Sequence, residues 1–301
     1  MSTARLAQIA AAYRAGTISR RTFIERLVSV MGGTALAGSY LETSGWARRL
    51  ASSQEADSEP EARNVAIESA SVIFPAAGAT VLGYLSRPQP TAGAAPFPGL
   101  LLIHEDHGLN EQLRGVARRL AAEGFFVLAV DHLSRQGGIA AFVTSDEVVA
   151  AFENVADEDV VQDLEAAASY LRSHPLVAPN RIDILGFRWG GERAFLYATV
   201  NPTLKAAVVF CGGPPPEDSL SALQTPVLGH YAEHDTLVTS TVAATRAAMQ
   251  QLGKSYDAKI YPAAEPAFFN DSGPHYDEAA AQDSWSRTLD FLKKHLASES
   301  F

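Results

Sequence analysis

The residues of this chain that can do chemistry gather in a few short clusters: His104-Glu105-Asp106-His107, Asp131-His132, Arg188-Trp189, Cys211, Glu233-His234-Asp235 and Glu265-Pro266. The sharpest signal is Gly186-Phe187-Arg188-Trp189-Gly190, which follows the β-rich run Ile182–Leu185 and opens a helical pattern. Glycines two residues either side of a tip, between strand and helix, are the spacing of an elbow that holds a nucleophile at its apex. Ser, Cys or Asp there attacks a carbonyl carbon; Arg188 stays protonated and cannot. A guanidinium above a helix N-terminus also sets positive charge on positive partial charge, so a carboxylate is needed close by. Glu105, Asp235 or both are the expected ion-pair partners of Arg188.

Other side chains offer substitutes for a missing nucleophile or base. Cys211 closes a strand next to the elbow strand, although a buried free thiol ordinarily acts as a small hydrophobe. His275, beside Gly273-Pro274, reaches a site only if its loop turns inward, and a solvated loop histidine is the plainer reading. Ser219 and Ser221 follow a proline-rich turn and read as loop or helix-cap residues. His104, His107, His132, His230 and His234, with Glu105 and Asp235, converge on strand ends without HExxH-type spacing, so neither a metal nor a cofactor is expected.

The elements that must position these residues alternate along the chain. Residues 65–74 and 79–85 read as an antiparallel hairpin. Strands follow at 99–103, 125–130, 181–186, 204–210, 226–231 and 256–261, and helices at 111–123, 159–174, 190–200, 240–252 and 276–296. Such alternation predicts an α/β domain: a mostly parallel sheet with an N-terminal antiparallel hairpin and helices on both faces. Ligands bind such a sheet beyond the carboxyl ends of its strands, where the clusters above fall.

Four of those segments carry a resemblance. From Val65 to Leu296 the chain resembles the dienelactone hydrolase family of the α/β-hydrolase fold. His104-Glu-Asp-His-Gly108-Leu-Asn110 is similar to the family's His-Glu-x-x-Gly-Leu segment, and Gly186-Phe-Arg-Trp-Gly-Gly191 to its Gly-Phe-Cys-Trp-Gly-Gly elbow. Gly229–Asp235 resembles the turn that supplies the triad acid. Tyr261–Asn270 resembles the Tyr-Pro-x-x-x-His-x-Phe segment that supplies the triad histidine. The resemblance implies carboxylic-ester or lactone hydrolysis, with Asp235 as acid and Glu105 as auxiliary carboxylate. It also places Arg188 at the nucleophile position and Pro266 at the histidine position. Two replacements at partner positions imply that ordinary hydrolysis has been lost, because triad members act as a unit. The implied ligand is a small ester, lactone or carboxylate, met by Arg188, the Trp189 amide and the Asp106-His107 loop; the alternative is an active hydrolase using Cys211 or His275.

Composition narrows the field. Among 301 residues the net charge is −10, too acidic for a nucleic-acid binder, and one cysteine leaves no intramolecular disulfide. No run of 18 apolar residues occurs, which excludes a polytopic membrane protein. Residues 1–63 differ from the domain at 64–301. Ser19-Arg20-Arg21-Thr22-Phe23-Ile24 resembles a twin-arginine export motif, a modestly apolar run from Leu27 to Leu41 follows, and residues 52–63 read as an acidic linker. The expectation is export to the periplasm or beyond, with a membrane tether where the N-terminus stays uncleaved.

Overall fold

The computed structural model describes residues 3–14, 23, 26, 30, 65–91 and 96–297. Apart from Phe23, the twin-arginine motif lies outside the described residues, as does the linker. Helix α1 spans Thr3–Arg14. No helix among the described residues is long and apolar enough to cross a membrane.

Eight strands form one sheet: β1 Ile67–Ala76, β2 Ala79–Pro88, β3 Phe97–Ile103, β4 Phe126–Asp131, β5 Val177–Phe187, β6 Ala207–Phe210, β7 Val227–Ala232 and β8 Tyr256–Tyr261, in the order β1-β2-β4-β3-β5-β6-β7-β8. The β1–β2 and β2–β4 pairings are antiparallel and the rest are parallel, as the hairpin and the βα alternation predict. Gly78, at φ 69, turns the hairpin. Leu100–Ile103 and all of β4 are buried, which is why these strands read as unbroken apolar runs rather than alternating ones.

Helices cover both faces. On one face pack α4 (Asp157–Ser173), through Leu164 and Leu171, and α5 (Trp189–Val200), through Phe195 and Tyr197. The other is covered by α2 (Glu111–Ala122), through Leu113 and Leu120, and by α8 (Glu278–Ala297), through Leu292 and Leu296. The α2 start is set by Asn110, whose side chain accepts the Leu113 N–H at 3.0 Å; this fixes where the loop after β3 ends.

Several elements differ from expectation; β5, for one, begins at Val177 rather than at 181. The helix expected at 240–252 is α7 Val242–Gln251, and an unexpected short helix, α6 Thr236–Thr239, capped by Asp235, precedes it. Strand β6 begins three residues later than its apolar run. Residues 133–156 hold a helix that periodicity did not reveal, α3 Ser145–Phe152, opened by a reciprocal capping box between Thr144 and Glu147.

Candidate functional site

The sheet register builds the site. Ile103 of β3 pairs with Gly186 of β5, and Gly186 pairs with Val209 of β6. Two residues beyond that row stand Glu105, Arg188 and Cys211, so three strand ends deliver them to one level. The elbow is present in the backbone: Arg188 has φ 50 and ψ −113, and its N–H donates to the Phe210 carbonyl at 2.7 Å. A left-handed φ in a residue with a side chain is strained and persists only where its surroundings enforce it. The flanking glycines do so: a Cβ on Gly186 would fall 2.0 Å from the Gly190 oxygen, and one on Gly190 would fall 2.3 Å from the His104 oxygen.

The Arg188 side chain is 35% exposed, and its Nε lies 3.9 Å from Glu105 Oε2. Of the two expected partners, Glu105 is therefore the one that pairs with Arg188. Among the described residues Asp235 makes no ion pair with Arg188; instead its Oδ1 accepts the Val238 N–H at 3.3 Å, capping α6. Glu105 is only 8% exposed. Burial pushes its carboxyl above the usual range; His107 and then Arg188 oppose that shift, while Asp106 adds to it.

Two cavities meet at Arg188 and Glu105, sharing also Ala267 and Asn270. One is an apolar slot walled by Leu113, Phe187, Phe210, Phe268 and Phe269, with Cys211 in its lining. The other is a polar cleft of about 480 Å³ lined by Asp106, His107, Glu265, Pro266 and His275. Pro266 thus lies in the cleft where the resemblance places a histidine, followed by Ala267 at φ 68. His275 is exposed at this cleft. His107 is held from α3, whose Ser145 hydroxyl lies 3.1 Å from its Nδ1.

Cys211 is 5% exposed, and burial pushes its thiol up to about 12, with Asp235 adding to the shift and Arg188 opposing it. A thiol held protonated at neutral pH is a poor nucleophile. Ser219 and Ser221 lie in a short 3₁₀ helix, donating to the carbonyls of Pro216 and Asp218.

The remaining histidines have structural roles. His104 Nδ1 lies 2.8 Å from the Glu105 carbonyl, and its Nε2 accepts the His132 N–H at 3.2 Å, which fixes a neutral ring. Its face stacks on Trp189 at 5.8 Å and 8°, and Phe152 of α3 meets the same indole at 4.8 Å. The Trp189 ring therefore forms the floor beneath the elbow and lines neither cavity; Arg193 lies over it at 4.6 Å. His132 is buried with both ring nitrogens lacking a hydrogen-bond partner. His230 sits between Tyr261 and Thr288, each at 3.1 Å, and His234 contacts Glu265 at 2.8 Å. Sequence reasoning missed the slot walls Leu113, Phe187 and Phe210: they alternate with core residues in their elements, and no local signal separates a pocket wall from core.

Residues 81–296 match the Dienelactone hydrolase family. A protein of Methylorubrum extorquens named "Putative carboxymethylenebutenolidase" is 34% identical over 221 residues, covering 69% of this chain and 76% of the relative. A Bradyrhizobium sp. protein named "Probable 2-oxo-3-(5-oxofuran-2-ylidene)propanoate lactonase" is 33% identical over 232 residues, covering 73% and 91%. The crystal structure titled "Putative Dienelactone Hydrolase" from Klebsiella pneumoniae aligns with a TM-score of 0.71 at 32% identity, covering 76% of this chain and 99% of that one. Brefeldin A esterase, at 15% identity and a TM-score of 0.62 over 79% of each chain, shares the fold alone. With the sheet order, the elbow and these matches together, the fold is that of the α/β-hydrolases and the chain belongs to the dienelactone hydrolase family.

Proposed function

We propose that this family member has exchanged ester or lactone hydrolysis for the binding of a small carboxylate at Arg188. One observation carries the reading: the elbow tip holds a permanent cation 3.9 Å from Glu105, and the cleft position that would supply a base holds Pro266. A guanidinium cannot form an acyl intermediate, whereas its planar donor fork suits carboxylate oxygens. Asp106 and His107 form the wall facing it, and the substrate named for the Bradyrhizobium relative is itself a carboxylate. In this reading Asp235 and Glu105 are the surviving members of the catalytic set.

The test has two arms. The unmodified protein is expected to hydrolyse p-nitrophenyl acetate no faster than buffer, and benzoate is expected to raise its melting temperature beyond chloride at equal ionic strength. Hydrolysis traced to an acyl group on residue 188 sinks the reading; so does the absence of any carboxylate-dependent stabilisation. The alternative is a hydrolase in which Cys211 attacks and His275 is the base. In its favour, both residues line the cavities that meet at Arg188; against it stands a thiol raised to about 12. Loss of any measured turnover in Cys211→Ser or His275→Ala would favour it.

We also propose that the N-terminal segment exports the domain by the twin-arginine route. Support is the position of Arg20-Arg21 ahead of an apolar run. Retention in the cytoplasm on Arg20→Lys with Arg21→Lys, read by cell fractionation, is the expected result; unchanged distribution overturns it.

A further inference from the structure

The Glu105 side chain has an unusual combination of properties. It is almost fully enclosed, and among the described residues its oxygens accept no hydrogen bond and its ion-pair partner is Arg188. Enclosed carboxylates are normally satisfied by several donors, so one left with open lone pairs is poised toward whatever fills the space beside it. That space is both cavities at once, because Glu105 and Arg188 line the apolar slot and the polar cleft alike. The raised carboxyl pKa fits a group that takes a proton and gives it back.

We propose that Glu105 and Arg188 form a proton-transfer pair that enolises a small 2-oxo monocarboxylate carrying a hydrogen at C3. This rests on the carboxylate-binding reading of Arg188. A 2-oxo acid presents one carboxylate oxygen and the C2 carbonyl oxygen side by side, and the Arg188 Nη atoms, which make no hydrogen bond among the described residues, can meet both. The rest of the ligand lies in the cleft of about 480 Å³, since the apolar slot has room for little more than a water molecule, and Glu105, which lines that cleft beside Arg188, is placed to reach C3. Glu105 takes the C3 proton. The C3–H electron pair becomes the C2=C3 double bond, and the carbonyl π pair moves onto the C2 oxygen, whose charge Arg188 stabilises. Return of a proton from Glu105 to C3 closes the cycle with nothing oxidised, reduced or released. The acidic side chains of the cleft, Asp106 and Glu265, disfavour a second carboxylate on the ligand, so a monocarboxylate is selected.

The experiment uses the full-length protein in D₂O with 4-methyl-2-oxopentanoate, following loss of the C3 proton signal by NMR beside a thermal-shift titration of the same compound. Exchange about a hundred-fold faster than in protein-free buffer is expected, with Glu105→Gln returning it to the buffer rate. As a control independent of that variant's folding, 3,3-dimethyl-2-oxobutanoate, which has no C3 hydrogen, should stabilise the protein and suppress the exchange. Thermal stabilisation without exchange overturns the enolising role and leaves the carboxylate site standing. Exchange that persists in Glu105→Gln, or under saturating competitor, overturns the assignment. No stabilisation by benzoate or by either 2-oxo acid overturns the carboxylate reading and this inference with it.

Discussion

Arg188 Nε stands 3.9 Å from Glu105 Oε2, so the tip of the elbow meets a carboxyl that burial has pushed toward its protonated form. The contact is long for an ion pair and the arginine is a third exposed, so it contributes little stability, on the order of 1 kcal/mol or less. Its importance lies in placement: a cation and a nearly enclosed proton acceptor face the same two cavities.

Installing a cysteine and a histidine at positions 188 and 266 is the most direct experiment on the proposed function. Arg188→Cys with Pro266→His is expected to raise p-nitrophenyl acetate hydrolysis about a hundred-fold over the unmodified protein. The backbone at 188 already has the elbow geometry, and 266 already lines the cleft. Either substitution alone should do little, because nucleophile and base act together. A folded but inert double variant would mean that the cleft has diverged beyond these two positions.

Arg188→Met is expected to abolish stabilisation by benzoate. It should also cost about 1 kcal/mol in urea denaturation, by leaving Glu105 without its counter-charge. Adding Glu105→Gln should recover most of that loss. Equal costs with and without Gln at 105 would show that the two side chains do not interact.

Acid should destabilise the domain early. His104, His132 and His230 are buried, and burial lowers all three, His230 to about 3. A histidine whose folded pKa lies below its unfolded value of about 6.5 favours the folded state above that value, and the advantage is lost as pH falls through it. Each contributes a slope of about 1.4 kcal/mol per pH unit between those limits. Urea denaturation at descending pH should show stability falling from about pH 6.5. A flat profile down to pH 5 (roughly 1.5 units below the free histidine value) would contradict the burial of these rings.

Asp183 works in the opposite direction. It lies in the middle of β5, fully buried, with neither carboxyl oxygen in a hydrogen bond. Burial raises its pKa well above the ordinary value; the nearby Ala206 backbone softens the shift without full hydrogen-bond geometry. A raised folded pKa means the residue is harmless below its unfolded value of about 3.9 and costs stability as pH rises toward the folded one. Asp183→Leu, similar in shape, is expected to stabilise the domain by about 1–3 kcal/mol at neutral pH and to steepen the acid loss. Destabilisation at neutral pH would mean that the carboxyl has a partner.

The architecture was largely legible from the alternation of apolar runs and helical patterns, because strands buried on both faces leave no polar interruptions, as β3 and β4 show. The elbow was legible too, since only glycine fits at 186 and 190. What was not legible followed from contacts between distant segments. Which of Glu105 and Asp235 would pair with Arg188 was open in the sequence; Asp235 caps α6 instead, because a carboxylate ahead of a helix has a local partner available at once. Helix α3 carries its signal in Thr144-x-x-Glu147 rather than in a long period, and its Phe152 completes the aromatic floor under Trp189. The apolar slot arises from residues on five separate segments, none of which looks different from core in one dimension.

The approach of Gly186 to Gly190 has a consequence for how such a protein can change its trade. Since main-chain crowding alone dictates the bend, whichever side chain occupies the apex is presented at the same point. The apex is thus an interchangeable socket: a change there alters the group presented while the scaffold stays as it was, and new chemistry still waits on a partner at 266.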